Sequence, residues 1–159
     1  MYYKVFLDTN IYDGANYSFH NAMFSLLRKM TEDGALQLKI NSVVEGEVKK
    51  HIGRDVKVAA KKLLEAVKDR SLSSFRNIPS FQDYLMIPNP KDWVQKAEEE
   101  FEEFLISCNC DRISINGIDV EKIMENYFNQ KWPFEAAKTD EFKDAFIVAS
   151  IIKDIIGTE

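Results

Sequence analysis

Three carboxylates sit where an apolar element ends or begins, and that placement, more than their number, gives them chemical potential. Asp8 ends the short apolar run Val5-Phe6-Leu7 and is followed by Thr9 and Asn10. Glu47 lies one to two helical turns after a second apolar strand, between Val44 and Val48. Asp144 falls in the first turns of a strongly apolar final helix, with Glu141 three residues before it and Asp140 four. Residues at those spacings share a helix face, so the like charges repel and a bound cation relieves them. Asp140 is read as a plain helix-start residue, and Glu141 as a further metal ligand. Oxygen donors without His or Cys select hard cations, so Mg²⁺ or Mn²⁺ is expected rather than zinc. Carboxylate-held ions of this kind serve phosphate chemistry, activating water and steadying the leaving oxygen. A protein nucleophile is then unnecessary. The chain offers none: there is no Ser/His/Asp order, no nucleophile elbow and no phosphate-binding glycine loop.

The elements that must position these groups follow from hydrophobic spacing. Residues 3–8 read as a first strand, with Asn10 starting the next helix. Ala22, Met23, Leu26, Leu27 and Met30 define a helix over 20–33, which Gly34 closes. Leu36–Asn41 is a second strand, and Ser42 then caps a helix through Val44, Val48 and Ile52. Further helices are predicted over about 55–70 and 92–106, a short strand over Arg112–Ile115, and a helix over Ile118–Phe128. The last helix, 140–156 with Thr139 as its cap, is apolar nearly all round and should be buried on most of its circumference. Strands alternating with helices predict an α/β domain with a mostly parallel sheet wrapped by helices. Ligands in such sheets bind beyond the carboxyl ends of the strands, which is where Asp8 falls. Only about three strands are visible, so a further strand beyond the last helix is expected, from a longer chain or a partner.

The bulk composition bounds the rest. At 159 residues and 45% hydrophobic content, one domain with a true core is expected. The net charge of −5 argues against a general nucleic-acid coat, although local basic patches still hold phosphate. Residues 49–76 carry nine Lys and Arg against three acids, directly after Glu47. Lys49, Lys50 and Arg54 are the expected phosphate contacts in that run, while the acidic stretch 92–103 reads as a solvated face. No apolar run nears the roughly 20 residues needed to span a bilayer, and no signal-peptide pattern precedes the first strand, so a cytoplasmic location is expected. Cys108 and Cys110 have too few companions for a structural zinc site and read as reduced, packed thiols.

Taken in order, Phe6-Leu7-Asp8-Thr9-Asn10, Val44-Glu45-Gly46-Glu47-Val48 and Glu141-Phe142-Lys143-Asp144-Ala145-Phe146 resemble the PIN-domain ribonucleases. The likeness is greatest to a bacterial PIN-like branch with a Glu-Phe-x-Asp-Ala signature and an aromatic-Pro-Phe element, here Trp132-Pro133-Phe134. It covers residues 3 to about 156. The resemblance implies a PIN-like, Rossmann-like three-layer domain, 1–159, acting as a Mg²⁺- or Mn²⁺-dependent endoribonuclease on single-stranded RNA, as in toxin–antitoxin or phage-defence modules. Asp8, Glu47 and Asp144 map onto the catalytic metal-binding core, and Thr9 and Asn10 onto the pair that supports the pocket. Glu45 is a rival to Glu47, but the spacing from Val44 favours Glu47. Most PIN domains carry another acidic residue after the next strand; the chain ends before one forms, which implies a C-terminal truncation.

Two other readings compete. A haloacid-dehalogenase-type phosphatase also places Asp after strand one, but it needs a second Asp where Asn10 stands. A catalytically incomplete PIN-like fold would serve instead as a binding or assembly module, joined to a partner or to itself through the C-terminal region.

Overall fold

The computed structural model describes residues 3–68, 73–75, 77–79, 89–134 and 141–157. These fall into two compact units, one of Met1–Val48 with Leu105–Glu159 and one of Lys49–Phe104.

The first unit is built on a parallel sheet of β1 (Tyr3–Phe6), β2 (Leu36–Asn41) and β3 (Asp111–Ile113), in that spatial order. Val5 pairs with Leu38, and Asn41 with Ile113, so all three strands finish on the same side. β1 stops at Phe6, two residues earlier than expected, and Asp8 instead caps the short helix α1 (Thr9–Gly14) in extended conformation. Tyr12 of α1 is fully buried and stacks on Phe24 of α2 (Ala22–Glu32). α2 closes on Gly34 at a φ of +67°: the Gly34 N–H reaches Thr31 O and the Ala35 N–H reaches Met30 O. Only glycine takes that left-handed turn without strain, so the chain can leave the helix and enter β2 at once.

β2 is the central strand, and its two faces differ. Leu36, Leu38 and Ile40 point into the apolar core with Phe24 and Val44. The alternate residues are polar, and each finds a partner. Gln37 donates to Asp111, Lys39 donates to Asp154, and Asn41 donates to Ser150 Oγ. Asn41 Oδ1 also accepts the Val43 N–H at 2.7 Å. Asn41 thus performs the capping expected of Ser42, whose own position is exposed.

Two helices complete this unit, α5 (Val120–Phe128) and α6 (Phe142–Ile156). Ile123, Phe134 and Ala145 form a core cluster with Tyr127, Phe142 and Phe146 packed on it. α6 departs from its expected burial. Only Ala145 and Ser150 are buried along it, while Ile152, Ile155 and Ile156 are 50–67% exposed. The expectation assumed cover on all sides; among the described residues, cover comes from the sheet and α5. An apolar groove of about 590 Å³, lined by Ile118, Trp132, Pro133, Val148, Ile152 and Ile156 among others, opens along the uncovered part.

α3 (Ser42–Lys68) begins in the first unit and continues into the second as a single helix, where two were expected. Gly53 does not break it. A Cβ at that position would lie in ordinary contact, 3.6 Å from Val94 Cγ1 of α4 (Pro90–Ser107), so the position has room for a larger residue. Among the described residues, Ile52, Ala60, Phe101 and Phe104 are the buried hydrophobic side chains of the second unit. Cys108 and Cys110 are free thiols, as expected. No helix among the described residues is long and apolar enough to cross a membrane.

Candidate metal-dependent site

The parallel strands end where Asp8, Thr9 and the first turns of α3 begin, so the crevice beyond the sheet collects residues from separate segments. Thr9 is 6% exposed and its Oγ1 donates to Glu47 Oε2 at 3.1 Å. Glu47 is directed there by its neighbours: Val44 and Val48, at i−3 and i+1, are buried and fix the rotation of the helix. Asp8 and Asn10 are exposed, and Asn10 Nδ2 donates to Asp8 Oδ2 at 2.9 Å.

The third segment is the start of α6. Phe142 is gripped by Tyr127 and by Phe134, with ring centroids 4.9 Å apart in both pairs, and Ala145 is buried beneath it. Fixing residues 142 and 145 inward leaves Glu141, Lys143 and Asp144 to face the crevice side. This explains the Trp132-Pro133-Phe134 element physically. Phe134 is a buried anchor for the helix that bears the acids, whereas Trp132 stays 62% exposed.

Lys143 Nζ donates to Glu47 Oε1, so both oxygens of Glu47 are engaged, one by Thr9 and one by Lys143. That contact with Glu47 raises the Lys143 pKa, and Asp144 and Glu141 add to it. Asp144 is also shifted upward. Its hydrogen bond with the Glu141 carboxyl is the main cause, followed by partial burial and the charges of Glu141 and Glu47. The region is therefore rich in negative charge, and one internal ammonium offsets part of it.

Of the expected ligands, the structure brings Glu47, Glu141 and Asp144 into one electrostatic neighbourhood. Asp8 is adjacent to it through Thr9, but its side chain turns to Asn10 and to a small pocket shared with Lys39, Asn41 and Ile147. The donor chemistry suits a hard divalent cation, being all oxygen. As the side chains stand, however, no three metal-ligating residues among those described converge closely enough to enclose an ion. Glu45 is engaged elsewhere: Arg112 Nε donates to its Oε2 at 3.0 Å. Thr139 and Asp140 lie outside the described residues, as do Arg70 and Arg76.

The expected phosphate contacts belong to the second unit. Lys49 is half-buried and lies 3.6 Å from Glu102; Arg54 pairs with Asp55 at 2.7 Å; Lys50 is exposed. With Lys57 and Lys61, Lys50 and Arg54 recur at i, i+4, i+7 and i+11, all exposed, which aligns four cations on one helix face.

Sequence reasoning missed Lys143, and with it the pair of Lys39 and Asp154. Lys39 is 5% exposed, and both carboxylate oxygens of Asp154 lie 2.9–3.0 Å from its Nζ. The alternation Gln37, Lys39, Asn41 was the available signal that this strand face would meet polar partners. For Lys143 the signal was a lone cation among Glu141, Asp144 and the nearby acids.

A family model described as PIN domain matches residues 5–156. No curated protein and no solved structure matches the chain.

Proposed function

From the premise that this chain belongs to the PIN-domain family, a family of nucleases in general, we propose that it is a Mg²⁺- or Mn²⁺-dependent endoribonuclease acting on single-stranded RNA. The observation that supports the reading is the electrostatic coupling of Asp144 to Glu141 and Glu47 beyond the carboxyl end of a parallel sheet, with Thr9 holding Glu47. Asp8, Glu47 and Asp144 are the proposed catalytic ligands and Glu141 the fourth. Thr9 and Asn10 are the supports that orient Glu47 and Asp8. A bound divalent ion supplies water activation and charge neutralisation. Water attacks phosphorus in line, the 3′ oxygen leaves, and the products carry a 5′-phosphate and a 3′-hydroxyl. Lys50 and Arg54, continued by Lys57 and Lys61, are the proposed backbone contacts, with Lys49 more restrained by Glu102.

Incubating the protein with labelled single-stranded RNA and Mn²⁺, then mapping the product ends, tests this reading. Cleavage by wild type and its loss in Asp8→Asn and Asp144→Asn are expected; cleavage that survives both changes or persists in EDTA rejects it. Use as a toxin or phage-defence nuclease belongs to the same reading. It requires that expression of wild type, but not Asp144→Asn, arrests growth.

A second reading, an assembly module that pairs two copies through α6, is favoured by the exposure of Ile152, Ile155 and Ile156 beside the apolar groove. Light scattering decides it. A dimer that Ile155→Lys converts to monomer supports this reading, and a wild-type monomer at high concentration removes it.

A further inference from the structure

Every carboxylate proposed as a ligand has a local partner. Asp8 is held by Asn10, Glu47 by Thr9 and Lys143, and Asp144 by Glu141. Three of these partnerships are compatible with a cation. Thr9 and Asn10 donate from neutral groups to one oxygen each and leave the other oxygen of that carboxylate. Glu141 is itself an oxygen donor. Lys143 differs, because its ammonium takes Glu47 Oε1, the oxygen that Thr9 leaves. An ammonium and a divalent ion cannot share that oxygen at short range without strong like-charge repulsion.

We infer that Lys143 is a displaceable internal cation that competes with the divalent ion for Glu47. Three features support the assignment. Lys143 stands between Glu141 and Asp144 on the anchored first turn of α6, so its backbone cannot drift from the acids. Its side chain is 66% exposed, so its ammonium can leave Glu47 for water without a buried path. Glu47, by contrast, is 18% exposed and tied to buried Thr9, so the carboxylate stays and the lysine is the partner that moves. Without metal, Lys143 lowers the repulsion among Glu47, Glu141 and Asp144. With metal, the ion takes over that neutralisation, and the free ammonium remains at the rim.

This inference rests on the metal-dependent reading, and calorimetric titration of the RNA-free protein with MnCl₂ separates the two. Lys143→Met removes the competitor and is expected to bind Mn²⁺ roughly threefold to tenfold more tightly, in the range of one exposed ion pair. Lys143→Arg keeps the charge and should remain near wild type. The same variants give a second readout: without metal, Lys143→Met should melt below wild type, and its gain in melting temperature on adding Mn²⁺ should be larger. Equal affinity in wild type and Lys143→Met, or weaker binding in Lys143→Met, overturns the inference while leaving the metal site standing. No Mn²⁺ binding by either protein overturns the metal site, and the inference with it.

Discussion

Thr9 Oγ1 and Glu47 Oε2 meet at 3.1 Å across 38 residues of chain, linking the first residue of α1 to the second turn of α3. The hydroxyl is buried and the carboxylate nearly so, and the bond therefore fixes the direction of Glu47 in the crevice. Outer partners of this kind tune a ligand as much as the ligand's own identity does. Thr9→Val keeps the volume and removes the donor. It should weaken Mn²⁺ binding by roughly tenfold to a hundredfold and cost about 1 kcal/mol of stability. Thr9→Ser should retain most of both. Calorimetry and denaturant unfolding report the two quantities, and unchanged metal affinity in Thr9→Val would show that Glu47 needs no such support.

The crowding of acids has a pH signature in metal-free protein. The Asp144 carboxyl is shifted upward by its hydrogen bond with Glu141, then by burial. A carboxyl whose pKa is higher folded than unfolded stabilises the fold below the unfolded value, about pH 4, and that contribution is lost as pH rises through the folded value. In EDTA, wild type should therefore lose stability relative to Asp144→Asn on raising the pH from about 4 into the neutral range. The difference should stay below about 1 kcal/mol because solvent screens the exposed pair. A wild-type protein that instead gains on the variant over this interval would contradict the arrangement.

Lys39 and Asp154 make a two-oxygen charged contact that joins the central strand to α6, with Asp111 3.4 Å from the same ammonium. Removing one partner strands the other. Asp154→Asn should destabilise by roughly 2–3 kcal/mol, below the value for a fully buried pair because Asp154 keeps some solvent contact and Asp111 remains. Lys39→Met should cost less than Asp154→Asn. Urea unfolding checks the order, and the reverse order would mean that the pair itself, rather than the relief of a buried charge, supplies the stability.

The cations of α3 should act on phosphate without reading sequence. Replacing Lys50, Arg54, Lys57 and Lys61 by Ala should weaken binding to unrelated single-stranded RNAs alike. It should flatten the dependence of log K on log salt by up to about 0.7 per lost contact. Anisotropy with two oligonucleotides of different sequence measures both effects. A loss confined to one sequence would assign these residues to base recognition instead.

The thiol of Cys110 is pushed up to about 12, chiefly by burial, with the neighbouring Cys108 adding to the shift. Because the folded value lies above the unfolded one, folding is favoured below the unfolded value and the advantage drains away as pH climbs toward about 12. Native protein should then react slowly with iodoacetamide at pH 8.5, and urea-unfolded protein at least tenfold faster. Equal rates would show that Cys110 is accessible and ionised in the folded chain.

Several features of this protein are written in local sequence. Leu36–Asn41 is bounded as a strand by alternation and by Gly34, whose left-handed turn is a property of the residue itself. The placement of Asp8, Glu47 and Asp144 at element ends is equally local, because apolar neighbours such as Val44, Val48 and Ala145 dictate which way a helix faces. The order of those motifs identified the PIN family, whose model spans residues 5–156. Contacts between distant segments were beyond that reach. Glu45 and Glu47 differ in partner because Arg112 of β3 approaches one and Thr9 the other. Lys143 meets Glu47 across 96 residues, and Lys39 meets Asp154 across 115. The exposure of Ile152, Ile155 and Ile156 likewise depends on what packs beside α6, not on the hydrophobicity of the helix. Periodicity tells a side chain which way to point relative to its own backbone. Which group it meets there is settled only when the sheet register and helix packing bring the segments together.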